Sequence, residues 1–307
     1  MIESPVSSAI IAERENTDSK EPLLAKDADV YLVKTAPITA KLRTAIRHLR
    51  TVAGPFARIR GFHIAFIYHF LYSIAMGVLG RMTGPFLRPL VSILVTIGLC
   101  RLHMTWTHAV ISMPSTKSWW QRIPSVKAAK NLIIPTAIWA TAQQVCLYVP
   151  GALFISVFDT FKRPEVYGGQ PQTVQKVALI QLFAVFMIFI ATIVLIVVPA
   201  EVSLKRVEAS MLPEEEETIV PFDKSFAGKF TSEAQGGSGA VTVLDAWRTF
   251  GKEARLRLLK LYGKVFAIQI AVAILFTMIM VAELKMITGG DFERFVQAAR
   301  NSLKGEL

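Results

Sequence analysis

The side chains of this chain with chemistry to offer inside apolar surroundings are two pairs of histidines and a scattered set of glutamines. His63 and His69 are six residues apart, and His103 and His108 are five apart. On a helix the first pair diverges by about 120°, and neither pair has the i, i+4 spacing with which two imidazoles share a metal ion. No His-Glu-x-x-His motif and no histidine box occurs. A zinc or diiron centre is therefore not expected, and the rings are expected to form hydrogen bonds between helices or at an interface. Thr141, Gln143 and Gln144 fall in one apolar run, Gln181 in the next and Gln269 in the last. An amide facing lipid is left unsatisfied, so these residues should turn inward, as cross-helix contacts of about 1 kcal/mol each. The alternative is a polar cleft for a lipid headgroup or small solute.

Other chemistries lack their residues. The two cysteines, Cys100 and Cys146, lie in apolar runs, which suits small buried hydrophobes rather than a disulfide framework or a zinc site. There is no Gly-x-Ser-x-Gly elbow, and the Gly-rich stretch near residue 236 has no Lys-Ser/Thr ending to cradle a phosphate. No Asp or Glu falls within an apolar core except at edges such as Asp159 and Glu283. Ion-coupled carriers generally need a carboxylate at membrane depth, so that class is disfavoured. Neither a cofactor nor a metal is implied.

The elements that must position these residues are long and apolar. The chain of 307 residues is 52% hydrophobic, with a mean hydropathy of +0.44 and a formal charge of +11. Its apolar residues come in runs: Gly61–Leu79, Phe86–Leu102, Leu132–Phe158, Val177–Pro199 and Val265–Leu284. Each is long enough to cross a hydrocarbon core, which takes roughly 20 helical residues. The expected fold is all-α, a polytopic transmembrane bundle of about five spans. Leu132–Phe158 contains Pro135, Pro150 and Gly151, so a single kinked helix and a re-entrant hairpin both remain open. The charge pattern favours the single helix.

Lys and Arg cluster on alternate sides of the spans, before the first, after the second and around residues 205 and 248–264. The positive-inside rule then places the N-terminus in the cytosol, with the organelle unspecified. Such placement accounts for the basic excess through lipid headgroups, without nucleic acid. Two amphipathic segments are expected to lie in the interface: Leu42, Ile46, Leu49, Val52 and Phe56 beside Arg43, Arg47 and Arg50, and Leu244, Trp247, Ala254, Leu258 and Leu261 beside Arg248, Lys252 and Arg255. Trp119 and Trp120 add the aromatic type enriched at that boundary. These eight Arg, Lys and Trp residues are the candidates for binding anionic lipid headgroups.

Between the spans, 201–241 contains Glu214–Glu217 and a Gly/Ser stretch, and reads as a flexible cytosolic loop. Residues 1–41 read as a disordered cytosolic tail without a cleaved signal peptide, 42–200 as an interfacial helix with four spans, 242–284 as a basic interfacial helix with the fifth, and 285–307 as an amphipathic tail.

The run Arg101-Leu102-His103-Met104-Thr105-Trp106-Thr107-His108, followed by Lys117-Ser118-Trp119-Trp120-Gln121-Arg122-Ile123-Pro124, resembles a pattern in uncharacterised fungal polytopic membrane proteins, some labelled "ubiquitin carrier". The resemblance implies a membrane protein and no particular activity. The label itself gains nothing here, because both cysteines sit in spans where a ubiquitin thioester cannot be reached. The residues of the run read as an aromatic, basic cytosolic boundary suited to headgroups.

The function expected from these features is that of an integral membrane protein that interacts with lipids or scaffolds a partner, with self-association or a protein partner allowed. Alternatives are a transporter or channel subunit with Gln143, Gln144, Gln181 and Gln269 along its path, and a membrane enzyme acting on a lipid through His103 or His108.

Overall fold

A computed structural model describes residues 38–167, 170–231 and 237–287. Among these residues the regular structure is helical, apart from one isolated antiparallel bridge between Ser112 and Thr218. The expected tail before residue 38, the C-terminal stripe beyond 287 and Gly236 lie outside the described residues. The chain divides after Gly251 into two units.

The described residues of the first unit form eight α-helices: α1 (Leu42–Ala53), α2 (Phe62–Met82), α3 (Gly84–Gly98), α4 (Cys100–Ile111), α5 (Val126–Lys162), α6 (Pro171–Thr192), α7 (Val198–Ser210) and α8 (Val243–Arg248). The second unit is described as one helix, α9 (Lys252–Ile287). Among the described residues, four segments are long and apolar enough to cross a membrane: Ala57–Met82, Val126–Thr160, Gln172–Ser210 and Lys252–Ile287. The pair α3 and α4, bent by 56° at their break, makes a fifth if it is one broken span. Local signals place these helices. The Ser125 hydroxyl caps α5 by accepting from the Ala128 amide, and Pro171 starts α6 where a missing N–H costs nothing.

Within the first unit α5 is central, packing against α3, α6 and α7, while α2 lies on α3 and α4. It runs unbroken for 37 residues through Pro135 and Pro150, so the hairpin alternative is not adopted. Gly61 opens α2 at φ +73°, and a Cβ there would lie 2.9 Å from Cδ1 of Trp106. That close approach seats the start of α2 on α4.

Three expectations are corrected. The described part of 201–241, residues 201–231 and 237–241, is not a flexible loop. Its first ten residues continue the helix of the fourth apolar run, and 211–231 docks on the bundle through Phe222, Phe226 and Phe230. Phe226 is 2% exposed in a core with Cys100, Met104, Leu132 and Val207. The run Glu214–Glu217 makes this segment look solvated, but its aromatic side chains supply the apolar area that folding needs. Backbone hydrogen bonds from Met113 to Glu217 and from Ile219 to Ile111, at 2.8 and 3.0 Å, pin it to the end of α4.

Second, 242–264 is not one interfacial helix. Thr242 caps α8, which stops at Thr249–Gly251, and Lys252 and Arg255 belong to α9, whose helix runs on into the fifth apolar run. Third, the stretch from His103 to His108 is not a surface facing headgroups: His103 and His108 are 2% and 5% exposed.

Candidate functional site

Where α6 meets α7 the helix contains one π-helical turn, Ile193–Val197, just before Pro199. Pro199 has no N–H to give, and a wider turn accommodates one extra residue there. Downstream, Glu201, Lys205 and Glu208 follow at spacings of four and three, which puts them on one face of α7. That face meets α4.

Glu208 is completely buried. Its Oε1 accepts from Nδ1 of His103 at 2.5 Å, its Oε2 accepts from the Thr107 hydroxyl at 2.6 Å, and its backbone carbonyl accepts from Nε2 of His108 at 2.7 Å. The Lys205 ammonium donates to Thr107 Oγ1 at 3.0 Å and to Nε2 of His103 at 3.2 Å, and stands 3.9 Å from Glu208 Oε2. These distances select one tautomer. With the His103 proton on Nδ1, the ring donates to the carboxylate and accepts from the ammonium, so all three side chains are satisfied together. The formal charges of Lys205 and Glu208 cancel within the cluster. Buried charge survives only when paired in this way.

Aromatic rings enclose the cluster. His103 lies 5.0 Å from Trp139, 5.5 Å from Tyr68 and 5.8 Å from Trp106, centroid to centroid, and the Lys205 ammonium sits 5.0 Å above the Trp106 ring. Between them opens a cavity of about 560 Å³, whose walls include Tyr68, His69, Tyr72, Trp106 and Trp139, with His103, Thr107 and Lys205 at the polar end. Gln143 and Glu201 also line it.

Gln143 has a second role. It also lines an open groove of about 540 Å³ between α5 and α6, where Leu147, Phe154, Leu182, Phe186 and Phe189 make the walls together with Val197 of the π turn. Polar lining in that groove is confined to Gln143 and Cys146. A polar-ended aromatic cavity and an apolar groove thus meet at one glutamine.

The sequence candidates are not gathered in one place. Gln143 lies at that junction, whereas Gln144 donates to Ser92 Oγ at 2.9 Å, and Ser92 pairs with the Tyr72 hydroxyl at 2.8 Å. Gln181 accepts from Thr160 at 2.6 Å, joining α5 to α6. Gln269 is on α9, in the other unit. Arg43, Arg47 and Arg50 are exposed on α1, and Arg248 is exposed at the end of α8. Lys252 is exposed and Arg255 half-buried on α9, and Arg255 has a partner of its own. Trp119 and Trp120 stack edge to face in a short 3₁₀ turn, Trp120 outward.

The residues missed at the sequence level are Glu208, Lys205, Trp139 and Tyr68. A signal existed for the first two: the 4-3 spacing of Glu201, Lys205 and Glu208 extends the helical period of the fourth apolar run past Pro199. Among the described residues, no three His, Cys, Asp or Glu side chains converge where a metal ion could sit. No protein-family model, curated protein or solved structure matches the chain.

Proposed function

We propose that this chain is a multi-spanning membrane protein that binds one amphiphilic lipid, its headgroup in the aromatic cavity and a hydrocarbon chain along the α5–α6 groove. The observation carrying this reading is that Gln143 lines both spaces. A ligand filling both must be polar at one end and apolar at the other. Each volume lies within the range of small-molecule sites, about 300–1,000 Å³. Binding is favoured over turnover because His103 Nε2, the ring atom a general base would use, is engaged by Lys205.

With the N-terminus cytosolic by the positive-inside rule, the cavity belongs to the cytosolic half of the bundle. It is lined by the first half of α2 and by α4 to its end at Ile111. The exposed arginines of α1 then face the anionic headgroups of the same leaflet.

Photo-crosslinking tests the reading. A lipid with a diazirine in its acyl chain, incorporated with the full-length protein in nanodiscs, should label Leu147, Phe154, Phe186 or Phe189 well above other lipid-facing side chains. Gln143→Trp, which fills the junction, should abolish that preference. Labelling spread evenly over all apolar helices, unchanged by Gln143→Trp, would overturn it.

A further inference from the structure

We infer that the cavity selects a membrane lipid whose headgroup is uncharged and hydrogen-bonding, a hydroxyl-bearing amphiphile of the sterol or diacylglycerol kind, rather than a phospholipid. The inference rests on the amphiphile reading above and adds the class of ligand.

Two sets of groups in the cavity differ in what they have left to offer. The charged set is spoken for. Lys205 directs its ammonium at Thr107, His103 and the Trp106 face, with Glu208 close by as its counter-charge. Glu201 is not a free carboxylate either. A phosphate drawn to Lys205 would compete with the wholly buried Glu208 for one cation and leave an uncompensated negative charge. Leaving a buried charge without its partner is among the most destabilising changes a protein can suffer. An ammonium headgroup meets the mirror problem against Lys205.

The uncharged set is unspent. Tyr68 is 4% exposed and borders the cavity, and its hydroxyl has no hydrogen-bond partner among the described residues. The exposed Gln143 amide, at the junction with the groove, has none among them either, and so is open to a ligand that reaches it from the groove. His69 presents its ring to the same space, edge-on to Trp106 at 6.0 Å. Together these offer donors and acceptors without net charge, the complement of a hydroxyl or ester. Buried polar groups are nearly always partnered, and the buried Nε1 of Trp139 in the cavity wall has no hydrogen-bond partner among the described residues, so it marks where a ligand or water completes the site. Aromatic walls favour flat or apolar bodies over strongly hydrated ones.

The test is native mass spectrometry of the full-length protein in mild detergent. Cholesterol, dioleoylglycerol, dioleoylphosphatidate and dioleoylphosphatidylcholine are added singly at equal concentration. A one-to-one adduct with cholesterol or dioleoylglycerol, retained at collision energies that strip both phospholipids, is the expected result. Which of the two persists separates a ring-bodied from a two-chain source. Tyr68→Phe together with Gln143→Leu should weaken that adduct about tenfold, the equivalent of one to two net hydrogen bonds. Phosphatidate or phosphatidylcholine retained as well as the uncharged lipids, or an adduct indifferent to the double substitution, would overturn the inference while leaving the amphiphile reading intact. A lipid load that never saturates at one copy for any of the four would sink both.

Discussion

The bundle of residues 38–251 and the helix α9 treat polar groups in opposite ways. In the bundle, several side chains that would be costly in an apolar setting are matched: Glu208 with His103, Thr107 and Lys205, Gln144 with Ser92, and Gln181 with Thr160. On α9 no residue of the most apolar stretch is buried, and Gln269 has no hydrogen-bond partner among the described residues. The bundle is therefore stabilised by specific contacts that a single substitution can remove, whereas α9 resembles an anchor whose apolar surface needs only lipid or another helix.

The sharpest way to break that contrast is at Glu208. Removing one partner of a buried, hydrogen-bonded charge cluster costs about 3–5 kcal/mol, because the remaining charge is stranded. Glu208→Ala should therefore abolish or strongly lower the thermal transition of the detergent-solubilised protein, measured by tryptophan fluorescence. Glu208→Gln, which keeps an acceptor for His103, should lose less. Glu283→Ala on exposed α9 surface should leave the transition where it is. Equal effects at 208 and 283 would erase the distinction between the two regions.

Next comes the docked segment. Phe226→Ala removes a fully buried ring that packs among Cys100, Met104, Leu132 and Val207 and lies 4.8 Å from the Arg206 guanidinium. Large aromatic-to-alanine changes in cores cost about 3–5 kcal/mol. Phe226 also sits at φ +50°, a conformation that β-carbon-bearing residues rarely adopt, so burial must hold it there. Amide hydrogen exchange across 211–231 should rise sharply in the variant. Leu195→Ala, at a position 72% exposed to what would be lipid, should leave it unchanged.

These two sites also mark how far the sequence could be read. Apolar runs of about 20 residues announce themselves by length alone, which is why Val177–Pro199 and Val265–Leu284 are recognisable without any structure. The cluster at Glu208 is different. Its members come from 103–108 and 201–208, and no local pattern links a carboxylate to a histidine 105 positions away. Local composition even misdirects: four consecutive glutamates suggest a flexible loop, although Phe226 is buried in the core and Phe222 and Phe230 pack against it. The glutamines were visible as residues needing partners, but whether each had one depended on pairings between helices. Gln143 and Gln144 are neighbours in sequence, yet only Gln144 finds a protein partner among the described residues, since adjacent residues on a helix point about 100° apart.

That last contrast supplies a smaller prediction. Gln144→Leu breaks the hydrogen bond to Ser92 and should cost about 1 kcal/mol, the scale of such bonds between membrane helices. Gln269→Leu breaks none among the described residues and should cost nothing measurable in the same thermal assay. A loss at Gln269 matching that at Gln144 would show that α9 has a polar partner after all, and cross-linking of the wild-type protein would then reveal whether it is a second copy.

The smallest effect belongs to Asp223, at the turn that leads the docked segment into Phe226. The Ser225 hydroxyl, followed by the Ala227 and Ser225 amides, donates to its carboxylate and holds it below the ordinary carboxylate range. A carboxyl whose pKa is lower folded than unfolded adds stability above its unfolded value, near about 3.9, and loses it as pH falls through the folded one. Because Asp223 is largely exposed and its charge screened, the contribution is only a few tenths of a kcal/mol. Asp223→Ala should speed amide exchange at 225–228 at pH 6, and the gap from wild type should narrow as the pH drops below about 3.9. A gap that stays constant across that range would assign the turn's order to the packing of Phe226 rather than to the charge of Asp223. The docked segment would then differ from α9 in buried apolar area alone.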